Sequence, residues 1–271
     1  MGKWLVKPPR PVLQRGHPLA RGLVVALPFW ERGGVTVRDE AIRQPGTFTA
    51  TGCSWVQSQL GPAVRLDGSA GAIEWPEPPN SETDLNTGTV AGWFRTSSPG
   101  AGYRGLFVKQ LAYGLFIVDS VLTAYDWGPD NTPRSTGVNV ADGFWHHTAF
   151  VFRSGVAGGS AIYIDGKLVL STSITISSHA NGFAIGSGDN PATIQLLNGD
   201  IGGSTLHNRA LIPAEIASLY LDPWGMYRPN FITQSDPFGL MGGLGPAAAA
   251  VAQRLQRDNI IAEWWRRRAF R

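Results

Sequence analysis

The chain has 271 residues, 43% of them hydrophobic and only 16% charged, with 34 glycines, 19 prolines and a single cysteine, Cys53. A charged share well under the roughly 25% of an ordinary soluble domain, together with so much glycine and proline, favours many short strands and tight turns. One cysteine excludes an intramolecular disulfide, so stability must come from a core. The net charge of +3 is uneven: the last eighteen residues carry six arginines against Asp258 and Glu263, a local +4, which leaves −1 for the remainder and gives no support for a basic nucleic-acid-binding body.

The N-terminus MGKWLVKPPRP lacks the apolar stretch of a secretory signal, and position 6 lacks the Ser or Thr of a myristoylation signal. No run approaches the ~18 apolar residues needed to cross a bilayer. The expectation is a soluble product made in the cytoplasm. Residues 1–18, rich in Pro and Arg, read as an extended N-terminal arm.

From Gly22 onward short β-branched or aromatic runs follow one another, bounded by Gly, Pro, Asn or Asp: GLVVALPFW, AVRLDG, AIEW, TVAGWFRT, GLFVKQ, YGLFIVD, WHHTAFVFR, SAIYIDG, KLVLST, GFAIG and GDIGGSTLHN. Helical periodicity is absent up to Asn208, which argues for one antiparallel all-β body over residues 19–229. In TVAGWFRT, Val90 and Phe94 alternate with Ala91 and Trp93, so neither face is plainly polar, as in a sandwich covered on its outside. Asp165-Gly166 between alternating strands is a strong two-residue hairpin signal. PAEIASLYL reads as a helix, with Pro213 in its first turn, Glu215 near its positive end and Ile216, Leu219 and Tyr220 at packing spacing; Pro223 stops it. Residues 230–246 read as a linker, and 247–271 as an amphipathic basic helix.

WHHTAFVFR followed by AIYIDGKLV resembles the W-H-H strand and Y-x-D-G-K hairpin of laminin-G-like domains in the concanavalin A-like superfamily. LARGLVVALPFWERGG, VRDEAIRQPGTF, AVRLDGSAGAIEW, TVAGWFRT and LHNRALIPAEIASLY are similar to successive segments of the same family, in order. The resemblance implies a jelly-roll sandwich of two antiparallel sheets over about residues 19–229. The family often carries calcium, but Gly202 and Gly203 stand where it has an acidic pair, removing the oxygen ligands that cation needs. No cofactor is therefore expected. Asp39 and Asp67, the remaining acidic positions that match, read as turn-formers.

Catalysis is not expected either. Relatives that cleave glycans use closely spaced carboxylates on one strand, about 5–5.5 Å apart in retaining enzymes, whereas Glu74, Glu77 and Glu82 are separated by Pro-rich sequence and Glu215 lies on the packing helix. His146 and His147 are strand neighbours that point to opposite faces, which suits scaffolding better than a shared metal. The loop AYDWGPDNTPRS is the candidate glycan surface, with flat faces from Tyr125 and Trp127 and hydroxyl partners from Asp126, Asp130 and Asn131.

In the C-terminal helix, Val251, Leu255, Ile261, Trp264 and Trp265 with Arg266, Arg267 and Arg268 admit docking to a partner protein, an anionic membrane surface or nucleic-acid phosphate. Docking is the expectation, with no membrane span and no nucleic acid. The segments HPLARGLVVALPFWERGG and SLYLDPWGMYRP also resemble laminin-G-like proteins encoded among bacteriophage structural genes. That resemblance implies a virion protein, a head decoration, head fibre or tail appendage. It would be held to other virion proteins by its ends, be homo-oligomeric, and possess a face for host glycans. The alternative is a free or cell-surface bacterial glycan-binding module.

Overall fold

The computed structural model describes residue 7 and residues 12–41, 46–48, 52–75, 82–129, 131–178, 181–189 and 192–227. The chain divides into Met1–Pro229 and Asn230–Arg271. The second unit, which holds the expected linker and basic helix, lies outside the described residues.

The first unit is built of β1 (Leu23–Leu27), β2 (Thr36–Val37), β3 (Gly46–Phe48), β4 (Cys53–Ser58), β5 (Gly61–Asp67), β6 (Ile73–Trp75), β7 (Thr87–Arg95), β8 (Tyr103–Lys109), β9 (Tyr113–Val118) and β10 (Val121–Tyr125). These are followed by β11 (Arg134–Asn139), β12 (Trp145–Arg153), β13 (Ser160–Ile164), β14 (Lys167–Thr172), β15 (Phe183–Ile185), β16 (Asn198–His207) and α1 (Pro213–Leu221). Sheet A runs β14-β13-β12-β7-β16-β5-β4, with β1 also paired to β16; sheet B runs β11-β10-β9-β8-β15-β6-β3-β2. The two antiparallel sheets form the expected jelly-roll sandwich.

The alternation in β7 explains the layering. Val90 and Phe94 enter a core shared with Leu115 and Ile117 of β9 and Ile185 of β15, which is the filling between the sheets. Ala91 and Trp93 face the other way into a second core with Leu13, Leu19, Ile216, Leu219, Trp224, Met226 and Tyr227. Sheet A is thus apolar on both faces, and the segment that follows it folds back over its outside. Each large apolar side chain fully buried there contributes about 1.5–3 kcal/mol.

The described part of the N-terminal arm departs from expectation. Leu13 is buried in the second core, and the Gln14 backbone N–H donates to the Met226 carbonyl at 2.8 Å. The residues just before β1 are packed because the exposed apolar face of sheet A needs cover from both ends of the unit. His207, buried on β16, ties the same region down with Nε2 2.8 Å from the Leu19 carbonyl.

The hairpin between β13 and β14 has Asp165 at φ 50° and Gly166 at φ 75°, with Ile164 opposite Lys167. Two consecutive positive φ values are what a two-residue type I′ turn requires, and Asp-Gly supplies them at low strain. α1 begins as its sequence indicates: Pro213 occupies the first turn, and the Glu215 carboxylate accepts the Ile212 N–H at 3.0 Å while pairing with Arg209 at 2.7 Å.

Gly202 and Gly203 also gain an explanation. The β16–β7 register shifts between Ile201 and Ser204, so both glycines lie opposite Trp93 as a bulge. A Cβ on Gly203 would come within 2.8 Å of the Trp224 ring, and one on Gly202 within 3.0 Å of Trp93 Cβ. Tryptophan packing against bare backbone occupies the place where an acidic pair would need room.

Candidate functional site

On β9, Leu115 and Ile117 point into the core between the sheets, so Phe116 projects from the opposite, outward face of sheet B. Its register partners are Gly105 on β8 and Thr123 on β10, and the residues two positions along, Tyr103 and Tyr125, stand on the same face. The three rings meet edge to face: Tyr103–Phe116 at 5.6 Å, Tyr103–Tyr125 at 6.0 Å and Phe116–Tyr125 at 6.5 Å between centroids. Trp127 completes the group, 5.8 Å from Phe116 and 5.1 Å from Tyr125. Gly114, opposite Tyr125, is kept bare because a Cβ there would come within 2.8 Å of the Phe116 ring.

These rings open onto a hollow of about 300 Å³ lined also by Gln110, Gly188, Ile194 and Gln195. Phe116 is buried beneath the other rings, and the combination of the half-buried Tyr103, Tyr125 and Trp127 rings with primary amides matches both surfaces a sugar ring presents. Its C–H face packs on an aromatic ring, and its hydroxyls exchange hydrogen bonds with amides. Among the described residues, no carboxylate lines the hollow.

Of the residues expected from the loop, Tyr125 and Trp127 are in the hollow and two others are not. Asp126 is fully buried; its oxygens accept the N–H of Gly128 at 3.1 Å and of Thr175 at 2.8 Å, with Arg134 3.7 Å away. It clamps the loop to the β14–β15 connection, and the expectation that it meets sugar hydroxyls is corrected. Asn131 accepts the Tyr125 hydroxyl and does not line the hollow, so it orients the tyrosine. Asp130, like Val251, Leu255, Ile261, Trp264, Trp265, Arg266, Arg267 and Arg268, lies outside the described residues. Tyr103, Phe116, Gln110 and Gln195 went unnoticed in the sequence. The alternation in YGLFIVD marks Phe116 as outward, but only strand pairing brings Tyr103 beside it.

The acidic positions matched to the family serve the backbone. One oxygen of Asp39 accepts the N–H of Ala26 and of Ala41, both at 2.8 Å. One oxygen of Asp67 accepts the N–H of Ser69 at 2.8 Å, Ala70 at 3.0 Å and Gly71 at 3.3 Å, and the Ser69 hydroxyl bonds the other at 2.7 Å. The Ser69 hydroxyl and these amides hold the Asp67 carboxyl down to about 2. Among the described residues there is no group of three or more His, Cys, Asp or Glu placed to hold a metal ion.

The paired histidines divide as strand alternation demands. His147 is buried in the second core beside Trp93 and Tyr220, and burial lowers its pKa to about 4, keeping it neutral. His146 packs near Phe94 and lies between Asp165 and Asp142, at 2.9 and 3.1 Å; the hydrogen bond to Asp165 raises its pKa. Both serve the hairpin and the packing of β12.

The model of the Concanavalin A-like lectin/glucanases superfamily, of laminin-G type, matches residues 67–217, more than half of the chain. The chain belongs to this superfamily. No curated protein sequence matches it. Among solved structures, this superfamily member resembles the binding domain of Paraclostridial Mosquitocidal Protein 1, with 14% identity and a TM-score of 0.58 over 74% of this chain and 52% of that one. It also resembles Trypanosoma rangeli sialidase in complex with sialic acid, with 17% identity and a TM-score of 0.58 over 77% of this chain and 34% of that one. Domain 4 of AbnA, a GH43 extracellular arabinanase from Geobacillus stearothermophilus, in complex with arabinotriose, is covered to 98% by 73% of this chain, with 19% identity and a TM-score of 0.55. The superfamily member thus spans about half of the first of these chains and a third of the second, and the likeness to all three is one of fold.

Proposed function

We propose that this chain is a non-catalytic carbohydrate-binding sandwich displayed on a bacteriophage particle, with the aromatic hollow on sheet B as its sugar-contacting surface. The observation that carries the sugar reading is the hollow itself: Tyr103, Tyr125 and Trp127 beside Gln110 and Gln195, with no carboxylate among its described lining residues to act as acid or nucleophile. The arabinotriose-bound arabinanase domain, matched almost end to end, supports the same reading. The virion setting rests on the resemblance of HPLARGLVVALPFWERGG and SLYLDPWGMYRP to phage structural proteins, and it assigns residues 230–271 to anchoring and oligomerisation.

A glycan array probed with the full chain, with and without calcium, tests the first part. Binding that is independent of calcium and weakened by Trp127→Asn supports it, and release of reducing sugar from any bound polysaccharide overturns the non-catalytic assignment. Pull-down of purified particles with and without residues 230–271 tests the second part. Association that survives the truncation overturns the anchor, and sugar binding without particle association favours a free or cell-surface module.

A further inference from the structure

A single row of residues crosses sheet A on five adjacent strands. Ser54 on β4 pairs with Arg65 on β5, Arg65 with Asp200 on β16, Asp200 with Arg95 on β7, and Arg95 with Trp145 on β12. Asp200 is 2% exposed and lies between the two guanidinium groups. Arg65 holds it with Nε at 2.6 Å and Nη2 at 2.9 Å, and Arg95 with Nε at 3.0 Å and a second bond from Nη2. The Arg95 guanidinium also sits over the Trp145 ring, 5.4 Å from its centroid.

One buried carboxylate needs one cation, and here it has two. The row carries a net positive charge beneath a cavity of about 290 Å³, lined by Ser97, Ser98 and Asn198 as well as by Arg65, Arg95 and Asp200 of the row. Both arginines reach solvent, Arg65 with 52% of its side chain exposed and Arg95 with 36%. Among the described residues neither Nη1 group has an acceptor, so each guanidinium keeps donors in the planar arrangement that pairs with a carboxylate. Asp200 fixes that arrangement in advance, which lowers the ordering cost of binding. Among the described residues Asp200 is also the one acidic group lining the cavity, and Asp142, next to the lining residue Gly143, is engaged with His146. Gly143 and Gly199 bring bare backbone to the cavity wall, leaving room above the two arginines.

We propose that this cavity is a second binding site, for an acidic sugar: Arg65 and Arg95 receive its carboxylate, and Ser97, Ser98 and Asn198 its hydroxyls. The site lies on sheet A, away from the hollow on sheet B, and stands whether or not that hollow binds sugar.

The test uses the full chain labelled with 15N, following the arginine Nε–H signals of Arg65 and Arg95 and, separately, the Trp127 indole N–H. The probes are glucuronic acid, glucose and acetate. Glucuronate is expected to move both arginine signals at concentrations where glucose and acetate do not. The response should weaken at least tenfold in Ser97→Asp, which places a negative charge at the cavity while leaving the row intact, and in Arg65→Gln, which leaves Asp200 paired with Arg95. The arginine signals failing to move with glucuronate overturns the proposal. So does an equal response to glucose or to acetate, or wild-type affinity in folded Ser97→Asp. Movement of Trp127 alone assigns sugar binding to the sheet B hollow and also overturns it.

Discussion

His146 Nδ1 lies 2.9 Å from one carboxylate oxygen of Asp165, whose other oxygen accepts the His147 backbone N–H at 2.9 Å. The first residue of the β13–β14 turn is thereby fastened to the start of β12, and one side chain sets both the turn and the docking of the hairpin.

Replacing Asp165 separates these roles. Asn tolerates positive φ and can still accept the His147 N–H, so Asp165→Asn is expected to cost about 1 kcal/mol from the weakened histidine contact. Asp165→Ala loses the acceptor and strains the turn, and is expected to cost roughly 2–4 kcal/mol. Urea unfolding of the two variants measures the difference; equal losses would assign the whole effect to charge.

Acid is expected to destabilise the chain through two buried histidines. Burial lowers the pKa of both His147 and His207 to about 4. Between the unfolded value of 6.5 and that lower value, the unfolded chain takes up protons that the folded chain refuses. Stability therefore falls as pH drops from about 6.5 to 4, by on the order of 3 kcal/mol per histidine. His146 runs the other way: its raised pKa contributes stability that is full below 6.5 and lost as pH rises through the folded value. Thermal unfolding across pH 4–8 should show a maximum near neutrality, and His207→Gln should reduce the acid-side slope.

Trp127 has φ 50°, a backbone conformation that Asn adopts more readily than other non-glycine residues. Trp127→Asn should therefore keep the melting temperature within about 2 °C while lowering sugar affinity about tenfold, the loss of one stacking contact of ~1.4 kcal/mol. Isothermal titration with the best array ligand reads this. Unchanged affinity would remove Trp127 from the site.

Restoring an acidic residue at the bulge should not create a calcium site. Gly203→Asp drives a Cβ into the Trp224 ring and buries a charge in the second core. The variant is expected to lose at least 3 kcal/mol of stability. Its melting temperature should not rise with added calcium; a calcium-dependent rise would show that the bulge can open into a coordinating loop.

The sequence by itself determined the class of fold, because strand alternation, turn chemistry and the Asp165-Gly166 pair are local properties written in consecutive residues. It also announced that sheet A is covered, through the apolar pairs Val90/Phe94 and Ala91/Trp93 on the two faces of one strand. Only the tertiary structure decided what covers that sheet: Leu13 from one end and Trp224 from the other join one core, with Trp224 lying against the glycine bulge. The candidate sites were legible in part for the same reason. Tyr125 and Trp127 are neighbours in sequence and could be seen together, whereas Tyr103 and Phe116 join them through strand pairing. Arg65, Arg95 and Asp200 are separated by 30 to 135 residues and share a row only because β5, β16 and β7 lie side by side. Asp126 looked like a ligand because it is polar and stands in a loop; its burial, which depends on the distant Thr175 amide, makes it a clamp.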